Sequence, residues 1–524
     1  MKIRFLLLTA VFCSTMKVHA TNHFQTLYGD LETDRSADFT LTTDGGYCIV
    51  GSNSAGTDTK EVTVFRLDSA GSLLWSSKIG SAKDDDPRSI IQTSDGGFVI
   101  AGNTQSGMFD TLNNHIFVMK IDDQGFPWWS EVYGNAGTDE ANTIIADPYG
   151  TGFYVVGSTT SYGNVNKSAY IMKISDVGQQ QWATVFNATD NNSLNSAFIR
   201  DGKILATGYS LRPNSNDSDL LIVQIDTSGN IDFGKRYSST GSETGYMIRP
   251  FTGGGFITAG LAPGTGNEEQ NISVFNADGS LRWTKNFGRS FNDLATSVTL
   301  LPNNHLLIGG RVDIGNPSLT LYQLSMMECD TTGTIIWAQT YGDPSANSEG
   351  FNALPGANGG FVCAGYSVNA SDPNGDCYFV KAGDDGLSGC YELPSTLTSS
   401  TPAFNDSTGI DSQSLILDEG VLTMNWQFFI NQFTQNCFSD GISTNETSDR
   451  NLLVFPNPAT SVASVRIPQN CIGKTLTVFD SFGRLVAQQN LNEEENNIQI
   501  SNLAAGIYSL RIQSLNCKLI ISGK

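Results

Sequence analysis

Four aspartates recur in one phase of this chain: Asp34, Asp85, Asp139 and Asp293 each stand five residues beyond a glycine that closes an aromatic or aliphatic run, namely Gly29, Gly80, Gly134 and Gly288. Counting in the same way lands on Asn192, Glu243 and Asn347 elsewhere. Carboxylates gathered at one mouth repel one another unless a hard cation such as calcium sits among them, so a ring of these positions is the one metal-binding pattern the residues suggest. The local reading of the same residues is that each side chain accepts backbone N–H groups of its own turn, as Asp and Asn commonly do. No other cofactor is indicated. After the first twenty residues the chain has three histidines, His23, His115 and His305, far apart in sequence, which gives poor support for a Ser-His-Asp triad or a multi-histidine metal site. A pair of catalytic carboxylates, as glycoside hydrolysis needs, is not singled out among so many acids. The spacing Cys-Xaa-Xaa-Cys is absent, which argues against structural zinc.

These aspartates are positioned by a unit of about 50 residues that recurs along most of the chain. Its plainest phrase is a glycine-rich turn opening an apolar run that closes on glycine: DGGYCIVG at 44–51, DGGFVIAG at 95–102, GTGFYVVG at 150–157, DGKILATG at 201–208, GGGFITAG at 253–260, NNHLLIG at 303–309 and NGGFVCAG at 358–365. A second phrase, Asp-Xaa-Xaa-Gly followed four residues later by Trp or Phe, keeps step with it, as in Asp68 to Gly71 to Trp75 and Asp122 to Gly125 to Trp129. Each unit holds four short runs of strand character, in the second unit 88–93, 97–101, 115–121 and 128–133, punctuated by hairpin turn residues. The second run is apolar on both faces and needs cover on both sides. Four-stranded sheets stacked face to face around an axis satisfy that need, so the expected fold is all-β, a seven-bladed β-propeller over 21–390. Residues 24–29 (FQTLYG) match 129–134 (WSEVYG), so the chain enters the repeat at a fourth strand, and 23–28 are expected to complete the last blade and close the ring. Eight blades result instead if 414–425 folds as a degenerate unit.

Composition bounds the partners. The formal net charge is −22 with only 16% charged residues, which argues against a nucleic-acid binder and disfavours anionic membranes. Residues 1–20 read as a secretory signal, with Lys2 and Arg4 before an apolar core and Val18-His19-Ala20 before Thr21. In an exported chain cysteines pair, and Cys390 with Cys437 and Cys471 with Cys517 are the candidate disulfides, whereas Cys48 and Cys363 lie inside apolar strands. Residues 391–449 contain no Lys or Arg and read as an acidic, Ser/Thr-rich connector or partial cap.

From 450 to 524 the character changes to short alternating strands with seven basic and four acidic residues, the pattern of a small β-sandwich. This segment closely resembles the type A C-terminal sorting domain of the type IX secretion system of Bacteroidetes, through Pro456-Asn457-Pro458, Asp480 with Gly483, Gly506 with Tyr508, and the strand carrying Lys518. The resemblance implies passage through the inner membrane by the signal, then through the outer membrane by that machinery, and removal of the domain by its sorting enzyme, leaving the body secreted or attached to the surface. The Asp-Xaa-Xaa-Gly-Xaa-Xaa-Xaa-Trp phrase also resembles the tryptophan-docking repeats of quinoprotein propellers. That resemblance covers only the strand-turn-strand unit, and the adjacent cysteine pair of those enzymes is missing here.

The expectation is therefore an exported, monomeric, non-catalytic propeller that binds a glycan, protein or other polymer outside the cell. The alternative is a propeller-fold hydrolase or lyase acting on extracellular carbohydrate or peptide. The two differ in whether one asymmetric cluster of side chains interrupts the likeness of the blades over the channel.

Overall fold

The computed structural model describes residues 23–439 and 453–521, short connecting stretches within both excepted. They form two compact units, 1–441 and 442–524, so the acidic segment after residue 390 belongs with the repeats.

Unit 1 is a β-propeller. Its strands lie in seven antiparallel sheets of five strands each, numbered here in chain order. In sheet 2 the strands run Asp85–Gln92, Phe98–Thr104, His115–Ile121 and Pro127–Gly134 from the inside outward. The second strand is buried along its whole length, as its two-sided apolar sequence requires. Cover comes from the neighbouring sheets. Val99 and Ala101 of sheet 2 pack with Ile144, Val155 and Met172 of sheet 3, while Phe98 and Ile100 pack with Val50, Val64 and Ile79 of sheet 1. The last such core joins sheet 7 to sheet 1 through Phe24, Tyr28, Phe39, Tyr47, Phe65 and Phe379. There the first described strand, His23–Gly29, pairs with Asp376–Ala382 as the fourth strand of sheet 7. Phe24 is fully buried, so Phe24→Ala should lower stability by about 3–5 kcal/mol, read from the denaturant midpoint. An unchanged midpoint would mean that this strand does not hold the ring closed.

The repeat phrases find their reasons at the sheet-to-sheet joints. In the turn after the third strand Gly71, Gly125 and Gly178 adopt φ near +85°, a conformation open to glycine at little cost. The aromatic of the preceding sheet lies on each: Phe24 against Gly71, Trp75 against Gly125 and Trp129 against Gly178, where a Cβ would collide with the ring. The tyrosine of the Tyr-Gly step then donates to the carbonyl of the same glycine, Tyr28 to Gly71 at 2.6 Å and Tyr341 to Gly386 at 2.6 Å. Glycine, aromatic and tyrosine thus make one interlock between consecutive sheets.

The expected connector or partial cap is instead a belt. Strands Glu392–Pro394, Thr398–Ser400, Asn405–Thr408, Ser412–Leu415, Asp418–Val421, Asn425–Phe428 and Gln432–Ser439 pair in turn with the outer edges of sheets 6, 5, 4, 3, 2, 1 and 7. The chain turns back at residue 390 and runs round the ring against the order of the repeats, giving every sheet its fifth strand and covering each open edge. Residues 414–425 accordingly edge sheets 3, 2 and 1 and form no unit of their own. Leu397, Phe404, Ile410, Leu417 and Met424 precede successive belt strands, and each packs into the core between two sheets.

Unit 2 has a three-stranded sheet (Leu453–Phe455, Val462–Arg466, Glu495–Gln499) and a four-stranded sheet (Leu485–Asn490, Thr475–Phe479, Gly506–Ile512, Leu515–Ile521). Ala463, Val465, Leu476, Val478, Ile498 and Leu510 fill one shared core. Cys471 is a buried free thiol, so the expected Cys471–Cys517 bridge is not formed; Cys471 packs among the apolar residues of this core instead. Cys390 does lie in a disulfide. The backbone of Cys437, in the last belt strand, stands opposite Gln25, whose Nε2 donates to Ser388 Oγ at 2.8 Å, but the Cys437 side chain lies outside the described residues.

Candidate functional site

Every innermost strand of the propeller breaks register at the same point. One residue bulges from the ladder: Ala37, Arg88, Asn142, Asn195, Tyr246, Thr296 and Phe351 in sheets 1 to 7. A bulge re-aims a side chain away from the pleat. All seven line a central cavity of about 870 Å³, within the range of small-ligand sites. The residues on either side of each bulge are mostly buried, whereas the bulged ones are half-buried or exposed.

Some of these side chains are spent on the ring itself. Asn142 Nδ2 donates to Leu194 O at 2.8 Å, Asn195 Nδ2 to Gly245 O at 2.9 Å and Thr296 Oγ1 to Gly350 O at 2.9 Å, each tying one sheet to the next. Asp38, one residue past the bulge, accepts from Asn352 Nδ2 at 3.0 Å, Phe39 N at 2.9 Å, and Ser89 Oγ and Ile90 N, both at 3.2 Å, joining sheets 7, 1 and 2. Burial pushes its carboxyl up, and these donors pull it back.

Aromatic and cationic side chains that break the likeness of the sheets come together in sheets 5, 6, 7 and 1, while sheet 2 carries the exposed Arg88 at its own bulge. Tyr246 and Phe351 supply aromatic faces at the bulge positions of sheets 5 and 7. The Arg35 guanidinium lies over the rings of Phe351 and Tyr366, 5.5 and 5.2 Å from their centroids, and half of its side chain is open to solvent. Glu349 joins Arg311 at 2.9 Å and Arg35 at 3.8 Å, and Arg311 lies 4.1 Å from the centroid of Tyr322. Flat aromatic faces beside fixed, forked donors bind planar or ring-shaped polar ligands and need no acid-base pair to do so.

The aspartates behave otherwise than the cation ring requires. Asp34, Asp85, Asp139 and Asp293 are all buried at the starts of innermost strands. Asp85 Oδ2 accepts from Ser81 N at 2.6 Å, Asp139 Oδ2 from Asn135 N at 3.0 Å and Asp293 Oδ2 from Arg289 N at 3.0 Å, in each case the residue four earlier. Asp34 Oδ1 accepts from Asn53 Nδ2 at 3.1 Å, and Glu243 takes Ser239 N at 3.1 Å. Among the described residues no three His, Cys, Asp or Glu side chains are grouped to hold an ion. The expected calcium ring is thus corrected: Asp85, Asp139, Asp293 and Glu243 cap the crossovers between sheets, and Asp34 ties two strands of sheet 1. In sheet 7 register assigns the role to Ser348 and not Asn347, because Ser348 pairs with Ser367 two residues before the Gly350–Gly365 step.

Burial pushes the Asp293 carboxyl up to about 6, against hydrogen bonds from Asp313 N and Arg289 N that lower it. Below about pH 4 the group is protonated whether the chain is folded or unfolded and stability is unaffected; stability falls as pH rises from 4 to 6, and the penalty is complete above 6. Asp293→Asn should therefore raise the melting midpoint at pH 7.5, by about 1 kcal/mol after the weakened cap is discounted, and leave it unchanged near pH 4. A stabilisation of the same size at both pH values would contradict this.

The bulged residues stand three positions beyond the capping side chains, from Asp34 to Ala37 and from Ser348 to Phe351. A periodic reading that stops at the acids misses them, because it seeks likeness and the site is made where likeness fails.

Unit 2 carries the clearest relationship to known proteins. Its residues 453–522 match the family described as the secretion system C-terminal sorting domain. This unit is a type IX sorting domain. The sorting domain directs export of the chain to the cell surface or the extracellular space, through interaction with the type IX machinery of Bacteroidetes. Of the sorting-motif residues, Tyr508 is buried and its hydroxyl donates to Ala504 O at 2.8 Å, Gly506 opens a strand, and Lys518 pairs with Ser509. Pro456, Asn457, Pro458, Asp480 and Gly483 lie outside the described residues, as does the signal at 1–20. Among the described residues no helix is long and apolar enough to cross a membrane. Beta-agarase A of Zobellia galactanivorans is 25% identical over 81 residues, 16% of this chain and 15% of the agarase. Solved structures similar to this chain include Sqt1 of Chaetomium thermophilum (TM-score 0.41, 11% identity, 70% of this chain and 99% of that one) and PorZ, an essential surface component of the type IX secretion system of Porphyromonas gingivalis (TM-score 0.23, 9% identity, 95% and 100%). At such scores the fold rests on the sheet pairing described above.

Proposed function

We propose that the exported body is a seven-bladed propeller, delivered by a sandwich-fold sorting domain, that acts as a monomer and binds an extracellular glycan in the mouth of its central channel without turning it over. The observation that carries this reading is the cluster of Tyr246, Phe351, Tyr366, Arg35 and Arg311, in which two aromatics stand at bulge positions that in sheets 1, 3, 4 and 6 carry Ala37, Asn142, Asn195 and Thr296. Aromatic faces against sugar rings and guanidinium forks against hydroxyls suit this class of ligand. Glu349, the acid nearest the cluster, is held by two arginines, which suits a positioning role better than that of a general acid.

A glycan array probed with the purified full chain tests the proposal, with each captured glycan incubated afterwards and sized by mass spectrometry. Capture with the glycan returned intact is expected. Shortened products would move the protein to the hydrolase or lyase class, and failure to capture any glycan would remove the reading.

A further inference from the structure

Three residues beyond the bulge, the innermost strands carry a further set of channel-lining side chains: Thr40, Ile91, Ile145, Phe198, Arg249 and Leu354 in sheets 1, 2, 3, 4, 5 and 7. Four are apolar and one is a threonine. Sheet 5 alone in this set presents a cation, so Arg249 departs from the chemistry its repeat position otherwise has.

The guanidinium is also poorly provided for. Its Nη1 donates to Ile248 O at 2.9 Å and, at the limit of a hydrogen bond, to Ser196 Oγ at 3.4 Å. No carboxylate of the described residues comes within ion-pair distance of it. Three other enclosed cations do have one, Arg66 lying 2.6 Å from Asp44, Lys173 2.6 Å from Asp147 and Lys78 2.9 Å from Glu32, whereas Lys381, away from the cavity wall, rests on the carbonyl of Ser69 at 3.1 Å. Asp38 is the acid whose charge reaches Arg249, but its oxygens are already taken by Asn352, Ser89 and two backbone N–H groups. Burial accordingly holds the guanidinium below its ordinary basicity. A half-buried, unneutralised guanidinium costs stability, and in a chain of net charge −22 acids to pair with it were abundant. An arginine left so, in the wall of a cavity, has its forked donors free for an anion from outside.

We infer that Arg249 is the seat of an acidic group on the channel ligand, a carboxylate or sulfate carried by an extracellular saccharide. The inference rests on the glycan-binding reading and narrows it: the aromatic cluster takes the sugar rings, and Arg249, three residues beyond Tyr246 on the same innermost strand, takes the charge.

Isothermal titration of the full chain with trigalacturonate, a sulfated trisaccharide and uncharged galactotriose tests it, with Arg249→Gln and Arg249→Lys alongside. One of the two acidic probes is expected to bind wild type at least about tenfold tighter than galactotriose, and which one does so tells carboxylate from sulfate. Arg249→Gln should abolish that preference and Arg249→Lys retain part of it. The unliganded melting temperature of Arg249→Gln should match or exceed that of wild type, since an unpaired charge has been removed; a fall would make Arg249 a structural tie and overturn the assignment. Acidic probes that bind Arg249→Gln as well as wild type would overturn it too. If galactotriose binds as tightly as either acid, the seat is wrong while the channel reading stands. If no probe binds, the seat falls, and the array result decides the wider reading separately.

Discussion

Cells producing the chain without residues 450–524 should hold the propeller in the periplasm, with none at the surface or in the medium. The removed segment contains the matched sorting domain at 453–522, whereas the N-terminal basic and apolar stretch expected to serve as the signal remains. The propeller has its own cores and forms a compact unit up to residue 441, so the shortened chain should still fold. Fractionation with immunoblotting reads the result. Normal surface levels of the truncated chain would mean that the address lies elsewhere.

Joining Cys390 directly to Ile442, which removes the belt and keeps the sorting domain, should leave most of the protein insoluble. The belt covers the outer edge of every one of the seven sheets and fills the cores between them with Leu397, Phe404, Ile410, Leu417 and Met424. Its removal exposes seven rows of unpaired N–H and C=O groups, each a template for another chain. Loss of Ile410 and Leu417 alone costs about 2–5 kcal/mol each by large-to-small precedent. Sedimentation and circular dichroism measure the outcome; a soluble monomer with the melting transition of the intact chain would show that the belt is ornamental to the fold.

The repeats were open to reading because one physical problem, packing a two-sided apolar sheet against its copy, is solved by the same residues each time. Gly71, Trp75 and Tyr28 and their counterparts announce the joint between sheets directly. The belt was not read, because its strands run three to four residues for most of their course and gain their order mainly from backbone pairing with edges that only the folded ring supplies. Its one side-chain signal, an apolar residue every six or seven positions from Leu397 to Met424, fits neither a helix nor a strand period. The sorting domain was legible because its motifs are local. The channel was not. Its chemistry resides in Arg35, Tyr246, Arg249 and Phe351, which come from three sheets and depart from most of their counterparts. The periodic acids drew attention to a position three residues away, where the carboxylates cap turns.

That the aromatic side of the channel is the binding site is tested most directly by calorimetric titration of an array-selected glycan against wild type and against the Tyr246→Ala/Phe351→Ala double variant. Both side chains line the cavity at bulges and are only partly buried, so the variant should fold with little change in melting temperature. Binding in wild type that weakens at least about tenfold in the variant, a loss of about 1.4 kcal/mol or more, is the predicted result. Equal affinity in the two proteins would contradict it.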